Sequence, residues 1–155
     1  MARILDDASH NPRIYCWFGA IPAQEIQDWL RRGGLSLPSD LLELWRITGG
    51  GDVFESETIL RPNVLSLPAQ FFVAGDDTDS KNAAYRSSGL AAHLYVFQVG
   101  TFLSAVDLPS MEYVTLSESD GYSITARFAS LEDWYLRSLR AEFGGKYGLD
   151  RSFSG

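Results

Sequence analysis

Apolar residues recur at the spacing of an α-helix in three parts of the chain. In the first part, Ile26, Trp29 and Leu30 lie three and four positions apart, so their side chains share one helical face. Start and stop signals agree with this pattern, because prolines open two of the stretches, glycines follow all three, and Ser130 is suited to cap the last. The pattern predicts helices over Pro22–Arg32, Pro38–Thr48 and Ser130–Phe143.

Alternation of apolar and polar residues replaces the helical pattern in the middle of the chain. The run from His93 to Leu108 alternates on both sides of Gly100, which is typical of a hairpin. Helices, then strands, then a helix indicate an α+β fold with helices in the N-terminal third and at the C-terminus. The pattern gives a single mostly antiparallel, or mixed, sheet of about five to six strands. Besides the hairpin arms, the predicted strands are Glu57–Leu60, Gln70–Gly75, Glu112–Ser117 and Tyr122–Ala129.

Length and charge restrict the domain organisation and the class of partner. The 155 residues suit one domain over residues 1–155, with a core at about 21–143 and with 1–20 and 144–155 peripheral. The net charge of −7 and the absence of a basic cluster exclude an ordinary nucleic-acid binder, because such proteins neutralise phosphates with Lys and Arg. An acidic surface suits a basic protein partner, although the same charge also serves solubility alone. One cysteine, no signal-peptide-like stretch and no run of membrane-spanning length predict a cytoplasmic protein without membrane contact.

The glycine triplet Gly49-Gly50-Gly51 admits two interpretations. A phosphate-binding loop follows a strand, opens a helix and carries a lysine after its last glycine. Here the triplet follows a predicted helix, and Asp52 and Glu55 come after it. A phosphate would meet the negative end of a helix dipole and two carboxylates, so we expect a helix cap and a turn instead.

Other candidate chemistry is weak. The segment Gly75–Gly89 begins like a calcium loop, but Lys81 and Asn82 stand where the loop needs an acidic or amide ligand and then glycine. A solvated or partner-facing loop is therefore expected there. His10 and His93 show no metal-ligand spacing with Cys16, although a Cys–His nucleophile pair stays open. We expect no catalytic residue, no metal and no cofactor.

Three segments, taken in order, resemble the SUKH superfamily, which includes yeast cell-wall-assembly regulators and many bacterial immunity proteins. They are "LSLPSDLLELWRITGGG" (Leu35–Gly51), "LYVFQVGTFLSAVDL" (Leu94–Leu108) and "FASLEDWYLRSL" (Phe128–Leu139). The matching features are a helix opened by Leu37-Pro38 and closed by the glycines, a central strand, and a final helix. The resemblance covers the chain from about Ile21 to Leu139. The segment Gly75–Gly89 has no counterpart in it.

The resemblance implies an α+β fold and binding rather than catalysis. Bacterial members typically neutralise a toxin, often a nuclease, and stay in the cytoplasm of the cell that makes it. On this basis we expect an immunity protein that binds a cognate, basic toxin domain. The alternatives are a regulator or scaffold of the same fold with a non-toxin partner, and a small enzyme with an unrecognised site. The carboxylates would face a basic partner, and the tyrosine would anchor it. The candidate contacts are Asp52, Glu55, Glu57, Asp76, Asp77, Asp79 and Tyr85.

Overall fold

The chain forms one antiparallel sheet in which the strands lie side by side in their sequence order. The fold is taken from a computed structural model that describes residues 1–68 and 72–149. Within these residues the sheet has seven strands, so the α+β prediction is confirmed and the predicted strand number is slightly too low. The strands are β1 Tyr15–Trp17, β2 Gly51–Val53, β3 Glu57–Ile59, β4 Leu94–Val99, β5 Leu103–Asp107, β6 Glu112–Ser117 and β7 Ser123–Phe128.

The strand count differs from the prediction at two places. β1 and β2 have only three residues each, which is too short for a recognisable alternation. The predicted strand Gln70–Gly75 lies partly outside the described residues, and its described part, 72–75, is not a strand.

Most helices lie where the sequence places them, but two were missed. The helices are α1 Ala2–His10, α2 Ala23–Gly33, α3 Ser39–Thr48, α4 Thr78–Ser87, α5 Leu131–Arg137 and α6 Leu139–Phe143. The predicted third helix is interrupted at Ser138, whose φ and ψ of −115° and −86° are not helical. No helix within the described parts of the chain is both long and apolar enough to cross a membrane.

Part of the segment 1–20 lies in the core, whereas we expected the whole segment to be peripheral. Ile4 of α1, Ile14 just before β1, and Tyr15 of β1 are buried in the main apolar cluster. A buried polar chain continues from them, because Tyr15 and Tyr135 share a hydrogen bond of 2.6 Å and Tyr135 donates to Asp7 at 2.6 Å. Asp7 also accepts a hydrogen bond from Arg140 at 2.8 Å. The N-terminal helix is thus tied to α5 and α6 by both apolar and polar contacts.

The glycine triplet is a cap and a close packing point, as its sequence context predicts. Gly49 ends α3 with φ +74°, in the left-handed region. A side chain at Gly49 would overlap the carbonyl oxygen of Gly19, and one at Gly51 would overlap that of Cys16. Gly49 and Gly51 therefore let the chain around β1 pass directly against the end of α3 and the start of β2.

The sheet carries an apolar cluster on each face. Tyr95 and Phe97 point toward the helices, and Leu94 and Val96 point toward the other face, as strand alternation requires. Trp29, Trp45 and Trp134 are buried, which confirms that their helical spacing marks core positions. The indole N–H of Trp45 donates to the Leu60 carbonyl at 2.8 Å.

Helix α4 continues the sheet where β3 ends. β3 pairs with β4 only at Val99 and Gln98, so the backbone of Val96 lies beyond it. The Asn82 amide fills that position, donating to the Val96 carbonyl at 2.8 Å and accepting from the Val96 N–H at 2.8 Å. Arg86, one turn later, donates to the Leu94 carbonyl at 3.3 Å. Side chains of α4 thus satisfy β4 backbone groups that would otherwise be buried without partners.

Candidate interaction surface

The candidate residues at the β2–β3 hairpin divide into exposed and buried ones. Asp52 is half-buried on β2 and accepts a hydrogen bond from the Thr58 hydroxyl at 2.8 Å. Glu55 is exposed at the tip of the turn, where its φ is +64°. Both side chains lie at or near the surface of the same hairpin.

Glu57 does not face a partner, contrary to our expectation. Its side chain is 1% exposed and accepts from the backbone N–H of Thr101 at 3.0 Å and from the Thr101 hydroxyl at 3.1 Å. Gln98 donates to it as well, at 3.2 Å. A lone carboxylate is stable inside a protein only when donors surround it, and here they come from the β4–β5 turn. Glu57 therefore stabilises that turn instead of extending into solvent.

The acidic segment predicted as a loop contains helix α4. Asp77 is its N-cap, and its carboxylate accepts from the Ser80 N–H at 2.7 Å and from the Ser80 hydroxyl at 2.8 Å. An acidic N-cap followed by two alanines is a helix signal, but three aspartates within four positions also match a calcium loop. Because the segment was compared with a calcium loop, helix α4 was not predicted.

The Asp79 carboxylate is hydrogen-bonded within the molecule. Its carboxylate accepts from the indole N–H of Trp29 at 3.0 Å and from the Asn63 N–H at 3.0 Å. These contacts join α2, the segment after β3 and α4. Asp79 is therefore a positioning residue rather than a free surface charge.

Three of the predicted acidic residues, one on β2 and two at the start of α4, are near enough for their charges to interact. Burial raises the pKa of the Asp76 carboxyl above its ordinary value, and the charges of Asp52 and Asp77 act in the same direction. Lys81 opposes the shift, with its ammonium 3.9 Å from the Asp76 carboxylate. The charges of Asp52 and Asp77 therefore disfavour the ionised form of Asp76, while Asp77 also caps α4 and Asp52 accepts from Thr58.

Tyr85 does not belong to this acidic group. It lies eight positions after Asp77 on α4, about 12 Å along the helix axis. Its ring packs edge-on against Tyr122, with centroids 6.0 Å apart, and burial raises the pKa of its phenol. Tyr85 covers the second apolar cluster, at the opposite end of the helix from the carboxylates.

An exposed apolar loop, which sequence reasoning missed, lies beside the acidic group. We call residues 62–76, between Arg61 and Asp77, the 62–76 loop. The structure describes its residues 62–68 and 72–76. Its two ends meet, because the Thr78 N–H donates to the Arg61 carbonyl at 2.9 Å. Within the described residues the exposed large apolar side chains are Ile47 (38%), Leu65 (82%), Leu67 (92%) and Val73 (62%). Three of these four belong to the loop.

The loop is fixed at both ends. The buried Arg61 guanidinium donates to the Ser66 carbonyl at 3.1 Å and to the Gly19 carbonyl at 2.8 Å. On the return side, the ring of Phe72 packs edge-on against Phe18, with centroids 5.2 Å apart. The signal in the sequence is the apolar run between Pro62 and Pro68, which was assigned to neither a helix nor a strand.

No group of three or more His, Cys, Asp and Glu side chains in the described part of the chain is arranged to hold a metal ion. Cys16 lies half-buried on β1, and His10 is exposed at the end of α1. No protein-family model and no curated protein matches the chain.

Proposed function

We propose that this chain is a non-catalytic binding protein whose interaction surface is the 62–76 loop together with Asp52, Asp76 and Asp77. The observation that carries the proposal is the exposure of Leu65 and Leu67 beside that acidic group. Exposed leucines gain about 1.5–3 kcal/mol each when a partner buries them. The adjacent carboxylates would steer a basic partner onto them.

The proposed partner is a toxin domain that the chain neutralises, as the SUKH resemblance suggests. A basic toxin, such as a nuclease with a cationic substrate cleft, would complement both the local carboxylates and the net charge of −7. Covering that cleft would block substrate without any chemistry by the bound chain. This route to neutralisation needs a firm surface, and the anchored loop ends support one.

The test is co-expression with a toxin gene neighbouring the chain's own gene, followed by size-exclusion chromatography. Wild-type chain should restore growth and co-elute with the toxin. The double variant L65S/L67S should lose the complex, whereas Ile47→Ser, at the exposed apolar residue outside the loop, should retain it. Persisting toxicity without a complex would remove the immunity role.

The binding surface and the identity of the partner can fail separately. If a basic, non-toxic protein binds the chain and needs Leu65 and Leu67 to do so, the proposed surface is supported and the proposed toxin partner is wrong. If the toxin complex forms equally well with L65S/L67S, the toxin partner is supported and the proposed surface is wrong.

A further inference from the structure

A cleft beside the 62–76 loop is lined by two arginines, in contrast to the carboxylates of the acidic surface. It encloses about 490 Å³ between the C-terminal end of α2 and helix α4. That volume lies in the range of small-molecule sites, which are mostly about 300–1,000 Å³. Arg32, Asp79 and Arg86 contribute the charges of its lining, and Trp29, Leu35 and Tyr95 contribute apolar surface.

Neither arginine of the cleft takes part in an ion pair within the described residues. Arg31, next to Arg32, pairs with Asp28 at 3.0 Å, but Arg32 takes part in none of the ion pairs of the described chain. The same holds for Arg86, whose guanidinium donates to the carbonyls of Ala92 and Leu94 at 3.1 and 3.3 Å and to the Asn82 amide oxygen at 3.5 Å. Carbonyl acceptors satisfy hydrogen bonds without neutralising the charge.

The carboxylate in the cleft is already engaged. Asp79 accepts from the Trp29 indole and from the Asn63 backbone, both at 3.0 Å, and forms no ion pair within the described residues. Two cationic side chains therefore face one carboxylate that is committed elsewhere. In a molecule with a net charge of −7, this cleft is a local positive region.

We propose that this cleft binds a small ligand that carries an oxyanion group, a carboxylate or a phosphate. Arg32 and Arg86 hold the anion, because planar guanidinium groups match the oxygen pairs of both groups. Trp29, Leu35 and Tyr95 contact an apolar body attached to it. The site is additional to the proposed protein-binding surface and does not depend on any protein partner.

The test is a calorimetric titration of the full chain with phenyl phosphate and, separately, with phenylacetate. Saturable binding of either probe supports the site and assigns the anionic group. Arg32→Ala should weaken binding about tenfold or more, the effect of losing one charge-assisted hydrogen bond. Arg31→Ala is the matched control, because it removes a neighbouring arginine that pairs with Asp28, and it should leave the affinity unchanged.

A second variant separates binding from folding. Arg32→Lys keeps the positive charge but loses the planar fork, so it should weaken both probes, while the thermal midpoint of the free chain stays close to wild type because the Arg32 side chain is exposed. Absence of saturable binding by both probes at millimolar concentration overturns the proposal. Equal affinity in wild type and Arg32→Ala does so as well.

Discussion

Replacing Asn82 tests whether α4 completes the sheet. The side chain is 3% exposed and makes two hydrogen bonds of 2.8 Å with the backbone of the fully buried Val96. Asn82→Ala removes both partners at once and leaves a buried N–H and a buried carbonyl unsatisfied. Each such group costs about 1–3 kcal/mol, so the variant should lose about 2–6 kcal/mol of unfolding free energy.

Asn82→Asp gives a sharper version of the experiment. The introduced carboxylate can still accept from the Val96 N–H, but it has no hydrogen to donate to the Val96 carbonyl. Burial and that carbonyl raise the folded-state pKa of the introduced carboxyl above its unfolded value of about 3.9, and the Arg86 guanidinium, 3.5 Å from the Asn82 oxygen, acts in the opposite direction. A raised pKa means that stability is retained below the unfolded value and is lost as pH rises through the folded value. The deficit relative to wild type should therefore grow from acid to neutral pH.

Urea denaturation followed by tryptophan fluorescence at a series of pH values measures both effects. The matched control is Ser87→Ala on the same helix, where an exposed hydroxyl bonds only to Ala83, and it should change stability by less than about 0.5 kcal/mol. If Asn82→Ala also stays within that limit, the proposed completion of the sheet is wrong. The same conclusion follows if the Asn82→Asp deficit does not change with pH.

Three further variants test other parts of the account, each by its urea midpoint. Asp76→Asn should raise stability at neutral pH and not near pH 3, because a carboxyl with a raised pKa destabilises the fold only when it is ionised. Lower stability of this variant at neutral pH would contradict the repulsion within the acidic group. Tyr135→Phe should cost about 1–3 kcal/mol by removing the donor to Asp7, and a neutral result would exclude a stabilising role for that contact. Gly49→Ala should cost clearly more than Gly34→Ala, because both positions need a positive φ but only the former meets backbone atoms; equal losses would refute the close packing around Gly49.

The periodic parts of the sequence predicted the fold well. α2 and α3 satisfy the 3.6-residue pattern, and β4 to β7 satisfy the two-residue pattern, with Glu112–Ser117 matching to the residue. β1 and β2 escaped because three residues contain too little pattern to recognise. Their place in the sheet is set by long-range pairing, such as Cys16 with Asp52, which no local signal records.

The candidate surface was predicted only in part. Charge and turn composition indicated Asp52, Asp76 and Asp77, whose charges interact in the folded chain, and their contact with a partner stays a prediction. Glu57 could not be assigned from the sequence, because its burial depends on donors from Thr101, which lies 44 positions away. The exposed leucines were missed because an apolar residue in a sequence suggests a core, and only the fold shows which ones lie outside it.

The most direct test of the proposed surface is hydrogen–deuterium exchange of the chain with and without the co-expressed toxin. Exposed loop amides exchange rapidly in the free chain, so protection by a partner is easily detected there. We predict protection of residues 62–68 and 72–77 in the complex, with β7 and α6 unchanged. Protection confined to β7 or α6, with rapid exchange retained throughout the 62–76 loop, would contradict the proposed surface.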